Sequence, residues 1–458
     1  MPTILIGRYE VKKTSIISDI LAFPPINTFA IDTTVSDTVC NSQANATLPF
    51  IADTLLRSQG GTYYYYNDSN RRIAYIPTIN KDGVVEIEDY SLNNDLMTPF
   101  YASLSPQNLA QQQVRIAFMG DSFIEGDIIT ADLRDTLQAI FGGAGVGFVP
   151  ITSPTAQFRR TIYHQYENWD YYSLLTPPKY LTLGIAGYVH LPSHESTVTY
   201  KAVAKKRFLD KYTTVRLFYA QDTLNEITYD INGKEPASYQ LTKTGAIAEL
   251  SYHAENIKSL SLSFPNQPRK LRIYGMSFEN GNGLYLDNFA VRGCTGPKVS
   301  KIPLNNLQKF DSLLNYKLIF LQYGLNVVDT NTGHFAWYKP EMVKMVNHVR
   351  KAFPDAAIVL VGVADRSSNQ NGEFHTIPAI PQLINLQREI AQETGIGFWN
   401  LFDAMGGIDA MVRMHDVQPK PLTSRDYTHL THEGGKYVAE KLLKTLLYEK
   451  QKYERKLN

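Results

Sequence analysis

The alternation of hydrophobic and polar positions divides the chain into segments of two kinds. In residues 114–150, and again after Gly293, short apolar runs alternate with segments whose apolar positions recur at helical spacing. The first apolar run, residues 114–119, predicts a buried strand, and the helical pattern that follows it ends at Gly142-Gly143. Strands that alternate with helices predict an α/β fold, with a mostly parallel sheet covered by helices on both faces.

The same pattern continues through the C-terminal third of the chain. Three apolar runs predict buried parallel strands, and three segments with apolar positions on one face predict helices. The predicted strands cover residues 318–321, 357–361 and 396–401, and the predicted helices cover residues 342–353, 383–394 and the segment from about 432 onward.

Residues 155–290 have a different character, because they hold almost no helical periodicity. Strand-like pieces recur there, and Asn232-Gly233 is a typical hairpin turn after one of them. The pieces lie at residues 215–219, 227–231, 259–264 and 270–274. They predict an all-β module of the sandwich type, inserted into the α/β domain.

The first 110 residues give weaker patterns and predict a small extension of mixed or mainly β structure. Residues 36–45 are polar and loop-like, residues 51–56 suggest a short helix, and the tyrosine run at 63–66 suggests a strand. The predicted domain limits are an extension at 1–110, an α/β domain at 111–154 and 289–458, and the inserted module at 155–288.

Composition narrows the class of protein. Hydrophobic residues make up 43% of the 458 positions and charged residues 19%, as in an ordinary soluble globular protein. The net charge of +1 gives no electrostatic indication of nucleic-acid binding. Cys40 and Cys294 are too few for a zinc site or a disulfide framework, although they could pair.

The sequence also bears on localisation. No segment is apolar enough to predict a membrane span. The first eight residues lack the apolar core of a signal peptide, so either the protein is cytoplasmic or an export signal is missing from this sequence.

The candidate chemistry begins at Gly120-Asp121-Ser122, which follows the first predicted strand. A serine at this corner lies at the C-terminal edge of the sheet, where open α/β sheets place their sites. A serine nucleophile needs a base, and Asp426-x-x-His429 precedes the last predicted helix. Within one short loop, the Asp426 carboxylate could accept from His429 Nδ1 and leave Nε2 facing Ser122.

Acyl transfer also needs donors for the developing oxyanion. Ser122 can offer its own backbone N–H, and Gly293 could present an unobstructed N–H where the α/β pattern resumes. Asn326 follows a predicted buried strand, so its amide is expected at the same sheet edge as Ser122.

These four sequence blocks resemble those of the SGNH (GDSL-type) hydrolases, and they occur in the same order. The resemblance covers residues 114–150 and 285–450. It implies a flavodoxin-like α/β/α fold and esterase or lipase activity that requires no metal or organic cofactor. It also implies Ser122 as nucleophile, with Gly293 and Asn326 as oxyanion donors.

A narrower set of features resembles the Ape-type peptidoglycan O-acetylesterases. The set comprises Gly120-Asp121-Ser122-x-x-x-Gly126-Asp127, Leu133-Arg134, the Gly145-x-Gly147-Phe148-Val149-Pro150 run and the β-module before the glycine block. This resemblance implies an O-acetylated cell-wall glycan as substrate, a periplasmic or extracellular location, and a jelly-roll-like module that resembles a carbohydrate-binding module. The sequence departs from that family in Phe123, where a histidine is common, and in its longer N-terminal extension.

Each candidate residue also has a plainer structural interpretation. Ser122-x-x-Glu125 fits a capping box of the following helix, and Asp426 and His429 could cap the last helix. Asp127 could contact sugar hydroxyls or favour the helix N-terminus.

Two further candidates and two further functions stay open. Asp365-Arg366 follows a predicted strand end and is a candidate substrate contact. The protein could also be an esterase for another polysaccharide, such as xylan or a host glycan, or for lipid. The chain could instead be a non-catalytic glycan-binding protein.

Overall fold

The computed structural model of the chain describes residues 4–6, 9–11, 64–66, 72–75, 77–204, 206–264, 270–328 and 335–457. The chain forms two compact units, Met1–Phe50 and Ile51–Asn458. In the first unit, β1 (Ile4–Ile6) and β2 (Tyr9–Val11) pair as antiparallel strands. The predicted loop at 36–45, the predicted helix at 51–56 and Cys40 lie outside the described residues.

The second unit contains the remaining described elements. The strands are β3 Tyr64–Tyr66, β4 Arg72–Ala74, β5 Glu88–Asp89, β6 Gln113–Gly120, β7 Ala144–Val149, β8 Tyr163–Ser173, β9 Tyr188–Lys201, β10 Tyr212–Gln221, β11 Asn225–Ile231, β12 Ala237–Leu241, β13 Ala248–Ile257, β14 Ser259–Phe264, β15 Leu271–Asn280, β16 Gly283–Ala290, β17 Tyr316–Gln322, β18 Ala357–Val361, β19 Ser367–Gln370, β20 Glu373–Thr376 and β21 Gly397–Trp399. The α-helices are α1 Thr98–Ser103, α2 Pro106–Gln111, α3 Thr130–Phe141, α4 Leu304–Leu314, α5 Tyr338–Ala352, α6 Ala379–Thr394, α7 Leu401–Met405, α8 Ala410–His415 and α9 His432–Leu457. Ser122–Asp127 and Pro297–Lys301 form 3-10 helices.

The central sheet has the strand order β16-β6-β17-β18-β21-β5. The first five of these strands are parallel, and the short β5 joins the edge antiparallel to β21. Numbered along the chain, the parallel strands take the order 2-1-3-4-5, which is the order of flavodoxin-like folds. Helix α3 packs against α9, and α4, α5 and α6 pack in succession, so helices cover both faces. The predicted flavodoxin-like α/β/α fold is confirmed.

Strands β7–β15 form the inserted module. They pair antiparallel in two ladders, β12-β11-β14-β9-β8 and β13-β10-β15-β7, which the single pair His190–Ile273 links. Buried apolar side chains of both ladders, among them Leu262 and Leu217, form a core of their own. The predicted β-sandwich insertion is confirmed.

The module is packed against the central domain. Phe218 and Tyr274 of the module contact Phe310 of α4, with ring centroids 5.6 and 6.0 Å apart. The buried Arg115 of β6 pairs both with Asp287 of β16, at 3.0 Å, and with Glu279 of the module. Apolar packing and a buried charge cluster therefore hold the two parts together.

The predicted limits of the module are wrong at both ends. Strand β7 pairs with β15 because its apolar side chains enter the module core, so the glycine-rich run at 145–150 belongs to the module. Strand β16 pairs parallel with β6, so it belongs to the central sheet. Gly143 directly precedes β7, and Gly283 begins β16. These two glycines touch, since a side chain at Gly283 would meet Gly143 N at 2.1 Å, so the chain leaves and re-enters the central domain at one place.

Part of the predicted N-terminal extension also belongs to the central domain. Tyr75, Ile87 and Phe100 lie in its apolar core, and Trp399 Nε1 donates to Val85 O at 3.1 Å. The limit at residue 110 is therefore wrong too, because this segment buries its apolar side chains against the sheet. In the described part of the chain, no helix combines the length and hydropathy that crossing a membrane requires.

Candidate active site

Three neighbouring strands of the central sheet end beside one another. Ser122 follows β6, Gly293 follows β16 and Asn326 follows β17. Because the strands are parallel, their carboxyl ends share one edge of the sheet, and β6 and β17 flank the point where the strand order reverses. The fold therefore brings these residues, distant along the chain, to one edge.

The turn that carries Ser122 depends on its two preceding residues. Gly120 has no room for a side chain, since a Cβ would meet Gln322 O at 2.9 Å. The Asp121 carboxylate accepts from Phe123 N at 3.0 Å and is the N-cap of the 3-10 helix. The capping-box interpretation of Ser122 is therefore wrong, and its hydroxyl is directed elsewhere.

Ser122, His429 and Asp426 form a hydrogen-bonded chain. Ser122 Oγ lies 3.0 Å from His429 Nε2, and His429 Nδ1 lies 2.6 Å from Asp426 Oδ2. Asp426 Oδ1 accepts from the backbone N–H groups of Thr428 and His429, each at 3.0 Å. Burial opposes ionisation of Asp426, but the bonds and charge of His429 outweigh it and lower the carboxyl pKa. An ionised carboxylate is thus held against the imidazole.

The loop of Asp426 and His429 is fixed by its surroundings rather than by α9. Tyr427 adopts a positive φ of 50°, and its ring stacks on Phe374 with centroids 4.1 Å apart. Thr431 Oγ1, not Asp426, accepts from the helical Gly434 N, at 3.2 Å. The helix-cap interpretation of Asp426 and His429 is therefore wrong.

The candidate oxyanion donors lie on either side of Ser122. Gly293 has a φ of 78°, which disfavours a side chain there. The Asn326 amide nitrogen donates to Asp121 Oδ2 at 3.0 Å and to Cys294 O at 3.2 Å. Burial raises the pKa of Asp121 to about 7, although its bonds to Phe123 N and Asn326 oppose this shift.

A buried ion pair beside the turn was missed from the sequence. Glu125 Oε2 lies 2.5 Å from Arg292 Nη2, and the Glu125 side chain is almost fully buried. Burial raises the pKa of Glu125 despite the charge of Arg292. The position of Arg292 directly before Gly293 was the available indication, but Glu125 three residues after Ser122 suggested a helix cap instead.

Asp127 is not a substrate contact. Its carboxylate is fully buried and bonds Arg134 Nη1 at 3.1 Å, Arg159 Nη2 at 2.8 Å and the hydroxyls of Thr130 and Thr161 at 2.8 and 2.6 Å. Burial alone would raise its pKa, but the two arginines hold it far below the usual value. Asp127 therefore serves as the counter-charge that ties the serine turn to the start of the module.

Replacing Asp127 with alanine is expected to lower the free energy of unfolding by about 3–5 kcal/mol, because Arg134 and Arg159 would stay buried without a counter-charge. Urea unfolding measures the change. Asp135→Ala is the matched control, since Asp135 pairs with Arg207 on the surface and its loss should cost below about 1 kcal/mol. Equal losses in the two variants would contradict a structural role for the buried cluster.

The same carboxylate predicts an acid dependence of stability. A folded-state pKa below the unfolded value stabilises the fold at pH above the unfolded pKa, and this stabilisation is lost as pH falls below about 4. The wild-type free energy of unfolding should therefore fall more steeply below pH 4 than that of Asp127→Ala. Parallel curves for the two proteins would rule out this linkage.

Asp365 also differs from the prediction, whereas Arg366 lies beside the loop of Asn326. Asp365 is fully buried and accepts from Thr376 Oγ1 and Met411 N, both at 2.8 Å, so it cannot reach a substrate. Arg366 Nη1 donates to Leu325 O and Val328 O, each at 3.2 Å. Arg366 therefore supports the loop of Asn326. The prediction of direct substrate contact is wrong for Asp365 and stays a prediction for Arg366, whose side chain is partly exposed. Across the described ranges, no group of three or more His, Cys, Asp or Glu residues is arranged to hold a metal ion.

Comparisons with known proteins agree with this architecture. No family model matches the sequence, and neither does any curated protein. Among solved structures, a peptidoglycan O-acetylesterase is 22% identical, with 80% of this chain and 99% of that chain covered and a TM-score of 0.64. A family two carbohydrate esterase from Cellvibrio japonicus is 10% identical, with coverages of 63% and 99% and a TM-score of 0.27. The first of these similarities shows the fold of this chain: an α/β hydrolase-like domain with an additional β-sheet.

Proposed function

We propose that the protein is a serine esterase that removes O-acetyl groups from a carbohydrate, with peptidoglycan as the substrate. The proposal rests on one observation, the continuous chain from Ser122 Oγ to His429 Nε2 (3.0 Å) and from His429 Nδ1 to Asp426 (2.6 Å). Nucleophile, base and orienting acid within hydrogen-bonding reach are what acyl transfer requires.

The reaction proceeds through an acetyl-enzyme. His429 Nε2 accepts the Ser122 hydroxyl proton while Oγ attacks the acetyl carbonyl carbon, and the carbonyl oxygen becomes an oxyanion. His429 returns this proton to the sugar oxygen as the bond between carbonyl carbon and sugar oxygen breaks. Water, deprotonated by His429, then attacks the acetyl carbon, and acetate leaves as the proton returns to Ser122 Oγ.

The oxyanion is stabilised by the N–H groups of Ser122 and Gly293 and by the Asn326 amide. Asn326 has two N–H bonds, and in the free protein these reach Asp121 Oδ2 and Cys294 O. The bond to Asp121, the shorter of the two, keeps the amide oriented. The N–H that donates to Cys294 O in the free protein is the one that the oxyanion would share.

Two features support a glycan substrate. The solved structure with the TM-score of 0.64 is that of a peptidoglycan O-acetylesterase. The inserted β-sandwich lies against the domain that carries the triad and presents exposed aromatic side chains, among them Tyr171 and Tyr180. Aromatic faces are suited to stacking on the apolar faces of sugar rings.

Acetate release tests the proposal. Purified protein is incubated with O-acetylated peptidoglycan, with acetylated xylan and with peptidoglycan that has been stripped of its acetyl groups by mild base. Release from the first substrate alone is expected. Release from xylan but not from peptidoglycan would refute the proposed substrate. Hydrolysis of other esters without acetate release from either glycan would point to lipid.

Labelling with a fluorophosphonate separates an enzyme from a glycan-binding protein. Ser122 is expected to form the covalent adduct, which peptide mass spectrometry locates. Binding to peptidoglycan without any labelling of Ser122 would favour the non-catalytic alternative.

A further inference from the structure

One turn of the inserted module is part of the catalytic domain's packing. Leu174, Ile185 and Val189 are buried in the same apolar cluster as Phe289 and Val291, which flank the end of β16. Gly187 lies so close to this cluster that a Cβ would meet Leu174 and Val291, each at 2.9 Å. The module is therefore anchored beside the loop that carries Gly293.

The next residue, Leu175, stands at the tip of this anchored turn. Its backbone N–H donates to Ser173 Oγ at 3.2 Å, and Thr176 N donates to Ser173 O at 3.1 Å. Leu174 N donates to Gly187 O at 3.0 Å, which fixes the base of the turn. Hydrogen bonds on both sides thus hold the Leu175 backbone in place.

The Leu175 side chain reaches Gly293, one of the candidate oxyanion donors. Its Cδ1 lies 3.3 Å from the position of a Cβ on Gly293, and no other atom of the described residues, chain neighbours apart, lies within 4 Å of that position. The side chain remains 39% exposed, although the residue before it is fully buried. A partly exposed side chain of the module therefore lies beside Gly293.

The strand order decides which part of the ester meets this side chain. The leaving oxygen must face His429, whose loop is bonded to the segment after β18 through Ser367 N and Tyr427 O at 3.0 Å. Gly293 follows β16, on the other side of Ser122 in the sheet. With the oxyanion between Gly293 and Asn326 and the leaving oxygen toward His429, the acyl group takes the side of Gly293 and Leu175.

We propose that Leu175 of the inserted module is a specificity-determining residue that limits the acyl group to acetyl. This inference rests on the proposed function. An aliphatic side chain offers no hydrogen bond, so it suits the acetyl methyl group, and its anchored backbone keeps it in the path of longer acyl chains. The module thereby shapes the reacting centre itself, in addition to any glycan contact.

Acyl-chain selectivity tests the inference. Rates for p-nitrophenyl acetate, butyrate and hexanoate are measured for the wild type and for Leu175→Ala. The ratio of kcat/KM for butyrate to that for acetate is expected to rise on the order of tenfold in the variant, since one methylene in an apolar pocket is worth at least that factor. The ratio does not depend on the fraction of folded enzyme, so partial misfolding cannot mimic the effect.

Two controls make the outcome decisive. Leu92→Ala makes the same change at a fully exposed leucine and should leave the ratio unchanged. A second series holds the acyl group as acetyl and varies the alcohol. An unchanged butyrate ratio in Leu175→Ala, or a change confined to the alcohol series, would overturn the inference. If Ser122→Ala hydrolyses these esters as fast as the wild type, the proposed function itself fails instead.

Discussion

Replacing Ser122 with alanine is expected to lower kcat for ester hydrolysis by a factor on the order of 10⁶. The substitution removes the only atom that can form the acetyl-enzyme, and loss of a serine nucleophile from a triad reduces kcat by about that factor in a serine protease. Ser122 Oγ makes its hydrogen bond to a half-buried imidazole, so the fold should tolerate its loss. Acetate release from O-acetylated peptidoglycan and hydrolysis of p-nitrophenyl acetate both measure the effect.

The matched control is Ser312→Ala, which removes a hydroxyl from the exposed face of α4. It should retain full activity, and both variants should unfold at nearly the wild-type temperature. Binding to peptidoglycan should survive in Ser122→Ala, because the glycan contacts remain. A Ser122→Ala protein that is folded and still fully active would eliminate the triad as the source of catalysis.

Asp426→Asn is expected to lower kcat by about 10⁴-fold, through the tautomer of His429. The carboxylate's Oδ1 accepts from two backbone N–H groups, those of Thr428 and His429. Only the amide oxygen of asparagine can replace it there, so the amide nitrogen must face His429 Nδ1. The imidazole then carries its proton on Nε2 and cannot accept the proton of Ser122, which is the cause of a comparable loss in serine proteases.

The effect of Asp426→Asn is checked against a control variant. Asp355→Asn, at an exposed turn, makes the same chemical change and should leave kcat unaltered. KM for p-nitrophenyl acetate should change little in Asp426→Asn, because the carboxylate does not touch the ester. A variant that keeps more than about a tenth of the wild-type kcat would show that Asp426 does not set the state of His429.

The candidate site could be found from the sequence because its parts are local signals. Gly120-Asp121-Ser122 directly follows a strongly apolar strand, and Asp426 and His429 are three residues apart before a long amphipathic helix. Alternation of strands and helices was enough for the fold class. Each of these signals lies within a few residues, where periodicity and spacing carry information, although the contact between Ser122 and His429 joins residues 307 apart.

The errors arose where burial depends on distant partners. Asp127 is buried by Arg159, 32 residues away, and Asp365 by Met411, 46 residues away. Neither acid differs locally from a solvent-exposed acid at a strand end or helix start. The limits of the module were misplaced for a related reason, since β7 and β16 are apolar strands whose partners in different sheets only the fold reveals.

The anchored turn around Leu174 has a consequence for evolution. The chain leaves the central domain at Gly143 and returns to it at the adjacent Gly283, as expected for a module that can be exchanged as a unit. However, Leu174, Ile185 and Val189 complete the core of the catalytic domain, so removal of the module would uncover an apolar surface beside Gly293. The two parts therefore constrain each other's sequences, and we expect substitutions in this turn to be inherited together with changes around the end of β16.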